Sequence, residues 1–149
     1  MIYSIYVDLD YDWDNLKNEE FKIFLKENKF KAMYYMISKN YIFKKVYIRR
    51  SPNNHIHLRF DLYFDVFKDN DIYEYLTGFG IPLYAMEFIF DMFIFRALLK
   101  DDPYRISLDL QRYGLTGNLN EINRIFNRKT KNYETKRAGE WLNFDEVVK

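Results

Sequence analysis

From Ile56 to Val66 every even position is apolar: Ile56, Leu58, Phe60, Leu62, Phe64 and Val66. The odd positions from 55 to 65 carry His55, His57, Arg59, Asp61, Tyr63 and Asp65. No other stretch limits the fold so tightly. A period of two belongs to a strand, which turns successive side chains to opposite faces, and a one-residue slip would put the whole apolar set in water. The pattern therefore predicts a half-buried strand with His55, His57 and Arg59 in a row on the face away from the core. Ser51-Pro52-Asn53-Asn54 just ahead of it has turn chemistry, and residues 43–50 are strand-like. Together they predict an antiparallel hairpin that holds both histidines of the chain.

Two further stretches alternate in the same way. In residues 2–10, Tyr3, Ile5, Val7 and Leu9 oppose Ser4, Tyr6, Asp8 and Asp10; from Tyr104 to Gln111, Ile106, Leu108 and Leu110 oppose Arg105, Ser107, Asp109 and Gln111. Both read as strands. Between the first strand and the hairpin, Asn18-Glu19-Glu20 is a helix start, and Phe21, Phe24, Leu25, Ala32 and Met36 follow as a stripe to about Ser38. Asp69-Asn70-Asp71 closes the hairpin. A loop or short helix runs on to Gly78-Phe79-Gly80, and Pro82 opens a helix over 83–99 that Asp101-Asp102-Pro103 stops. After a loop marked by Gly114 and Gly117, residues 121–128 read as a last strand, followed by an additional strand or hairpin. The expected fold class is α+β: a mostly antiparallel sheet of four to six strands with helices on one face, in an RRM-like or ferredoxin-like split βαβ order. The open face would then receive Asp8, Asp10, His57, Arg59, Asp61, Arg105 and Asp109 from three strands.

Size and composition narrow the classes. At 149 residues with 48% apolar content, the chain suits one domain with a real core and excludes global disorder. It has no cysteine, so disulfides, Cys-based zinc sites and thiol nucleophiles are out. The start has no basic leader-like region, and the run Phe88–Leu99, broken by Asp91 and Arg96, is too short for a membrane span. A cytoplasmic, non-membrane protein is expected; the Lys/Asn/Tyr/Ile-rich composition is compatible with a gene of an archaeal virus or plasmid. Between residues 124 and 137 stand Arg124, Arg128, Lys129, Lys131, Lys136 and Arg137 against the single acid Glu134. That arm carries +5 and the rest of the chain −4, so one part suits a polyanion and the other metal ions.

Carboxylates at i and i+2 on a strand end, with a third on a neighbouring strand, suit Mg²⁺ or Mn²⁺, and a histidine and arginines alongside suit phosphates. The chain resembles the archaeo-eukaryotic primase superfamily in three ordered motifs. The family's apolar Asp-x-Asp is similar to Ile5-Tyr6-Val7-Asp8-Leu9-Asp10. Its Ser followed six residues later by a His on an apolar strand resembles Ser51 through His57-Leu58-Arg59-Phe60. Its apolar-Asp strand resembles Ile106-Ser107-Leu108-Asp109. The basic stretch Asn127-Arg128-Lys129-Thr130-Lys131 is similar to the segment that comes after the third motif in small primase subunits. The resemblance implies a minimal catalytic core with metal ligands Asp8, Asp10 and Asp109. It implies a triphosphate held by Ser51, His57, Arg59 and Arg105, and a nucleic-acid backbone, DNA ahead of RNA, along Arg128, Lys129, Lys131 and Arg137. The activity implied is metal-dependent nucleotidyl transfer from nucleoside triphosphates in the replication of a mobile element.

His55-Ile56-His57 also resembles the His-hydrophobic-His strand of rolling-circle nicking enzymes, in which two histidines bind a metal and a tyrosine attacks DNA. Tyr84 and Tyr113 are the candidates for that role. A non-catalytic nucleic-acid-binding module on the same sheet is the third reading. Geometry separates them, because the primase reading needs Asp8, Asp10, Asp109 and His57 to converge.

Overall fold

β3 (His55–Tyr63) lies between β1 (Ile2–Asp12) and β2 (Ile42–Arg50), antiparallel to both. The computed structural model describes residues 2–63, 83–112, 119 and 121–149. Helix α1 (Glu19–Ser38) connects β1 to β2 across the sheet, and β3 is inserted between these two parallel strands, which is a split βαβ unit. After β3 come α2 (Leu83–Lys100), α3 (Arg105–Arg112), the ribbon β4 (Ile122–Asn127) and β5 (Asn132–Arg137), then β6 (Leu142–Asn143) and α4 (Phe144–Val147). The main sheet has the order β1-β3-β2-β6, and β4-β5 form a separate two-stranded sheet. The fold is α+β, with an antiparallel main sheet.

The period-two alternation of β3 sets the core. Ile56, Leu58, Phe60 and Leu62 are each 0% exposed, and with Ile5, Val7, Leu9 and Ile48 they pack under Leu25, Ala32 and Met36 of α1 and Phe88, Met92, Phe95 and Leu99 of α2. Phe60 meets Phe95 edge-on, ring centres 4.8 Å apart, and Phe43 touches both. Asn18 caps α1 as expected: its side-chain oxygen accepts from the Glu20 and Phe21 amides at 2.8 and 3.2 Å. The two charges inside the apolar α2 run are both buried. Asp91 accepts from the hydroxyls of Tyr35 (2.9 Å) and Tyr41 (2.8 Å) and lies 3.4 Å from Lys39 Nζ, tying α2 to the end of α1. No helix among the described residues is long and apolar enough to cross a membrane.

One element departs from expectation. Residues 105–112 form a helix, not the third alternating strand, and their faces are inverted: Asp109 is 2% exposed whereas Leu108 and Leu110 are 38% and 44% exposed. The cause is local. Asp102-Pro103 both ends α2 and starts α3, since Asp102 Oδ1 accepts the Tyr104 amide at 3.0 Å and its carbonyl accepts from Arg105. Arg105 and Asp109 then pair one turn apart, 3.1 Å. The charged face accordingly draws on the strands β1, β2 and β3 and on one helix. Expectations for Phe64 to Val66, Asp69 to Asp71, Gly78 to Gly80, Pro82, Tyr113, Gly114 and Gly117 fall outside the described residues, as does the side chain of Tyr84.

Candidate metal centre

Across the open face the register sets Asp8 of β1 opposite His57 of β3, and His57 opposite Arg49 of β2. The next rows are Tyr6, Arg59 and Tyr47, then Ser4, Asp61 and Lys45. At the site end, β1 slips: Leu9 faces Ile56, but Asp12 faces His55, leaving Asp10 and Tyr11 as extra residues. A bulge of this kind re-aims side chains. Donor atoms of Asp8, Asp10 and His55 lie within 4.8 Å of one another beside it.

The turn before β3 holds His55 in this place. The Ser51 hydroxyl accepts the His55 amide at 2.8 Å, and Asn54, at φ 63°, donates its side-chain amide to Asp12 Oδ1 at 3.0 Å. The Trp13 amide closes the join on the Asn54 carbonyl at 2.7 Å. Asn tolerates the left-handed conformation that this turn demands. Ser51 is buried, and its acceptor oxygen serves the turn.

His57 is buried in a different role. Arg49 Nε donates to its Nδ1 at 3.1 Å, which leaves the ring proton on Nε2, 3.9 Å from Asp8 Oδ1. Burial, then the Arg49 charge, then His55 push its pKa down to about 4, so it is neutral at ordinary pH. Asp8 moves the other way. Burial and the neighbouring Asp10 charge raise its pKa, against the opposing pull of Lys100, His55 and Arg105. Burial and Arg105 lower the Lys100 pKa, and Asp10 and Asp8 partly offset them. The carboxylate pair and the Lys100/Arg105 pair therefore feel each other directly.

Asp109 is not part of the Asp8, Asp10, His55 donor group. It lies on α3, ion-paired with Arg105 (3.1 Å) and 3.8 Å from Arg96, whose own pKa burial lowers and Asp109 raises. Its Oδ2 and Arg105 Nε are buried without a hydrogen-bond partner among the described residues. Arg59 is occupied too: it pairs with Asp61 at 3.2 Å, its guanidinium lies 4.1 Å from the centre of the Tyr47 ring, and Trp141 covers it from the side of β6. Trp141 also lies over Arg49 (4.2 Å) and beside Tyr6, so the middle of the open face is roofed, with Asp8 exposed at one end and Lys45 at the other. Arg128, Lys129, Lys131 and Arg137 are exposed on the β4–β5 ribbon.

Sequence reasoning ranked His57 above His55 and passed over Lys100 and Arg49. The signal for Arg49 was its place two pairs from Asp8 in the hairpin register. Lys100 gave none, because a lysine in a last helical turn reads as a helix end. No protein-family model, curated protein or solved structure matches this chain. Fold and site therefore define the class by themselves: an α+β split-βαβ domain with an acid–histidine cluster at the edge of an open, cation-lined sheet face.

Proposed function

We propose that this protein is a divalent-metal-dependent nucleotidyltransferase acting on nucleoside triphosphates and nucleic acid, with the reaction at the Asp8 end of the sheet. The observation that carries the reading is the Asp8, Asp10, His55 donor group set beside the charges of Lys100 and Arg105. Two carboxylates and one imidazole fit Mn²⁺ or Mg²⁺, the imidazole favouring the former. Bound there, the ion would polarise a phosphoryl oxygen.

The remaining work falls to the chain. Lys100 and Arg105 neutralise the charge of the departing pyrophosphate as the 3′-hydroxyl releases its proton to water, its oxygen bonds to the α-phosphorus and the bridging oxygen leaves with the electron pair. His57, buried and neutral with its Nε2 proton toward Asp8, backs that carboxylate without adding charge. Asp109 acts through Arg105: it holds the guanidinium on α3 and takes no part as a ligand. This differs from the ligand set implied by the resemblance, in which Asp109 completes the metal site.

A second reading, cleavage of single-stranded DNA with a tyrosine nucleophile, is favoured by one observation: the residue that joins the two carboxylates is His55, not Asp109. The test uses Mn²⁺ and two assays on the same protein, incorporation of labelled nucleotide on a template and cleavage of a labelled single strand. Incorporation that disappears in Asp8→Asn plus Asp10→Asn supports nucleotidyl transfer. A covalent protein–DNA adduct without incorporation replaces it with the second reading. Binding without either reaction rejects both in favour of a non-catalytic module.

A further inference from the structure

The β4–β5 ribbon has two unlike faces. Cross-strand pairing puts Ile122, Arg124 and Phe126 with Tyr133, Thr135 and Arg137 on one face, and Asn123, Ile125 and Asn127 with Asn132, Glu134 and Lys136 on the other. Every residue of the first face is exposed, including Phe126 at 48% and Tyr133 at 63%. The two rings meet edge-on at 5.2 Å, and Arg124 lies 5.2 Å from the centre of the Tyr133 ring. No acid stands on this face. At the tip, the Asn127 side chain accepts the Lys129 and Thr130 amides at 2.9 and 3.3 Å, which fixes a tight turn carrying Arg128, Lys129 and Lys131. The base is fastened beside the metal centre: Asn123 donates to Asn53 at 2.8 Å, the Gly139 amide donates to the Arg50 carbonyl at 2.9 Å, and Glu121 faces Arg49 at 3.6 Å.

Among the described residues the ribbon has no core of its own, and adjoining exposed aromatic rings on such an element mark an interaction surface. We infer that this face is a platform for single-stranded nucleic acid, which stacks bases on Phe126 and Tyr133 while Arg124, Arg137 and the basic tip follow its phosphates. The charge of the ribbon selects a polyanion, and the rings select its form. A duplex hides the faces of its bases and would leave both rings idle, whereas a single strand offers a base to each ring. The ribbon runs from the turn that holds His55, so a strand lying on it leads to the reaction site. The inference deepens the proposed function and rests on it only for the identity of the substrate; binding itself needs no metal.

The test is fluorescence anisotropy with a labelled mixed-sequence DNA oligonucleotide, single-stranded and annealed to its complement, titrated with the full chain in chelator. Single strand is expected to bind more tightly than duplex. Phe126→Ala plus Tyr133→Ala should weaken single-strand binding by at least about tenfold with the salt dependence kept, since each stacked base contributes about that much. Arg124→Ala plus Arg137→Ala should instead flatten the salt dependence, each lost phosphate contact removing about 0.7 from the logarithmic slope. Tighter binding of duplex, or an aromatic double variant within about twofold of the parent, overturns the inference. Circular dichroism checks the fold of each variant; these side chains are exposed and should not disturb it. Asp8→Asn plus Asp10→Asn should bind the single strand as the parent does, so the platform can fail while metal-dependent turnover stands, or the reverse.

Discussion

Burial and Arg49 decide what His57 can be. Burial first, and then the charge of Arg49, whose Nε–H occupies the ring's acceptor Nδ1, oppose protonation, so the folded protein holds a neutral imidazole with pKa about 4 where an unfolded chain has about 6.5. The folded pKa is lowered, so the unfolded state binds more protons as pH falls from 6.5 toward 4, and stability drops through that window. His57 should therefore contribute about 2 kcal/mol less stability at pH 5 than at pH 7 in urea unfolding, a contribution that His57→Asn removes. Asp8 shifts the opposite way and costs stability while it is ionised. That cost is present above its raised folded pKa and is relieved as pH falls through it. Asp8→Asn should raise the melting temperature in chelator and remove the rise that Mn²⁺ gives the parent. A variant no more stable than the parent in chelator, still stabilised by Mn²⁺, would remove Asp8 from the ligand set.

Among elements, the joins are as informative as the strands. Both long helices close with a left-handed residue that is not glycine: Asn40 after α1 (φ 72°) and Asp101 after α2 (φ 52°). After α2, the Asp102 and Asp101 amides return to the Ala97 and Leu98 carbonyls at 3.0 and 3.2 Å, the double bond of a Schellman end. An exposed aspartate at this position is strained, so Asp101→Gly should stabilise by about 0.5–1 kcal/mol in thermal or urea unfolding. Asp91→Ala should do the reverse by about 2–4 kcal/mol, because it removes the buried carboxylate that accepts from both Tyr35 and Tyr41 and pairs with Lys39. Elements whose pattern was set by burial were legible in the sequence: β1, α1 and β3 each carry one packed face whose period could be read, while β2 was legible from the turn after it and α2 from its apolar run between Pro82 and Asp101-Asp102-Pro103. Helix α3 was not legible, because its leucines are exposed and its buried face is the Asp109 carboxylate. Alternation by chance outweighed the real signals, a capping Asp102-Pro103 and an i,i+4 charge pair. The site was half legible for a related reason. Asp8 and Asp10 follow from strand alternation, and unbroken pairing on from Leu9 and Ile56 would already set Asp10 opposite His55; the bulge that sets Asp12 there instead leaves no mark in a pattern of period two.

Over the whole molecule, the packed core and the proposed binding face belong to different parts. The sheet and its helices share one core in which Phe60, Phe43 and Phe95 lock β3 and β2 to α2. Among the described residues the ribbon has nothing comparable: all of β5 is exposed, and the contacts at its base are a few hydrogen bonds and one ion pair. A segment with few buried apolar contacts opens at lower free energy than the core it is joined to. Amide hydrogen exchange under native conditions should accordingly show two tiers, with β3 amides exchanging only through global unfolding and β4–β5 amides well before. Phe60→Ala should lower the first tier by about 3–5 kcal/mol, the cost of an aromatic-sized cavity, and leave the rate of the second unchanged as long as the chain stays folded. Saturating single-stranded DNA should do the converse, slowing the ribbon amides while the β3 tier moves only by the linkage of binding to folding. Ribbon amides as protected as those of β3 in free protein would mean that the ribbon is part of the cooperative core. Its exposed rings would then need a structural explanation instead of a ligand.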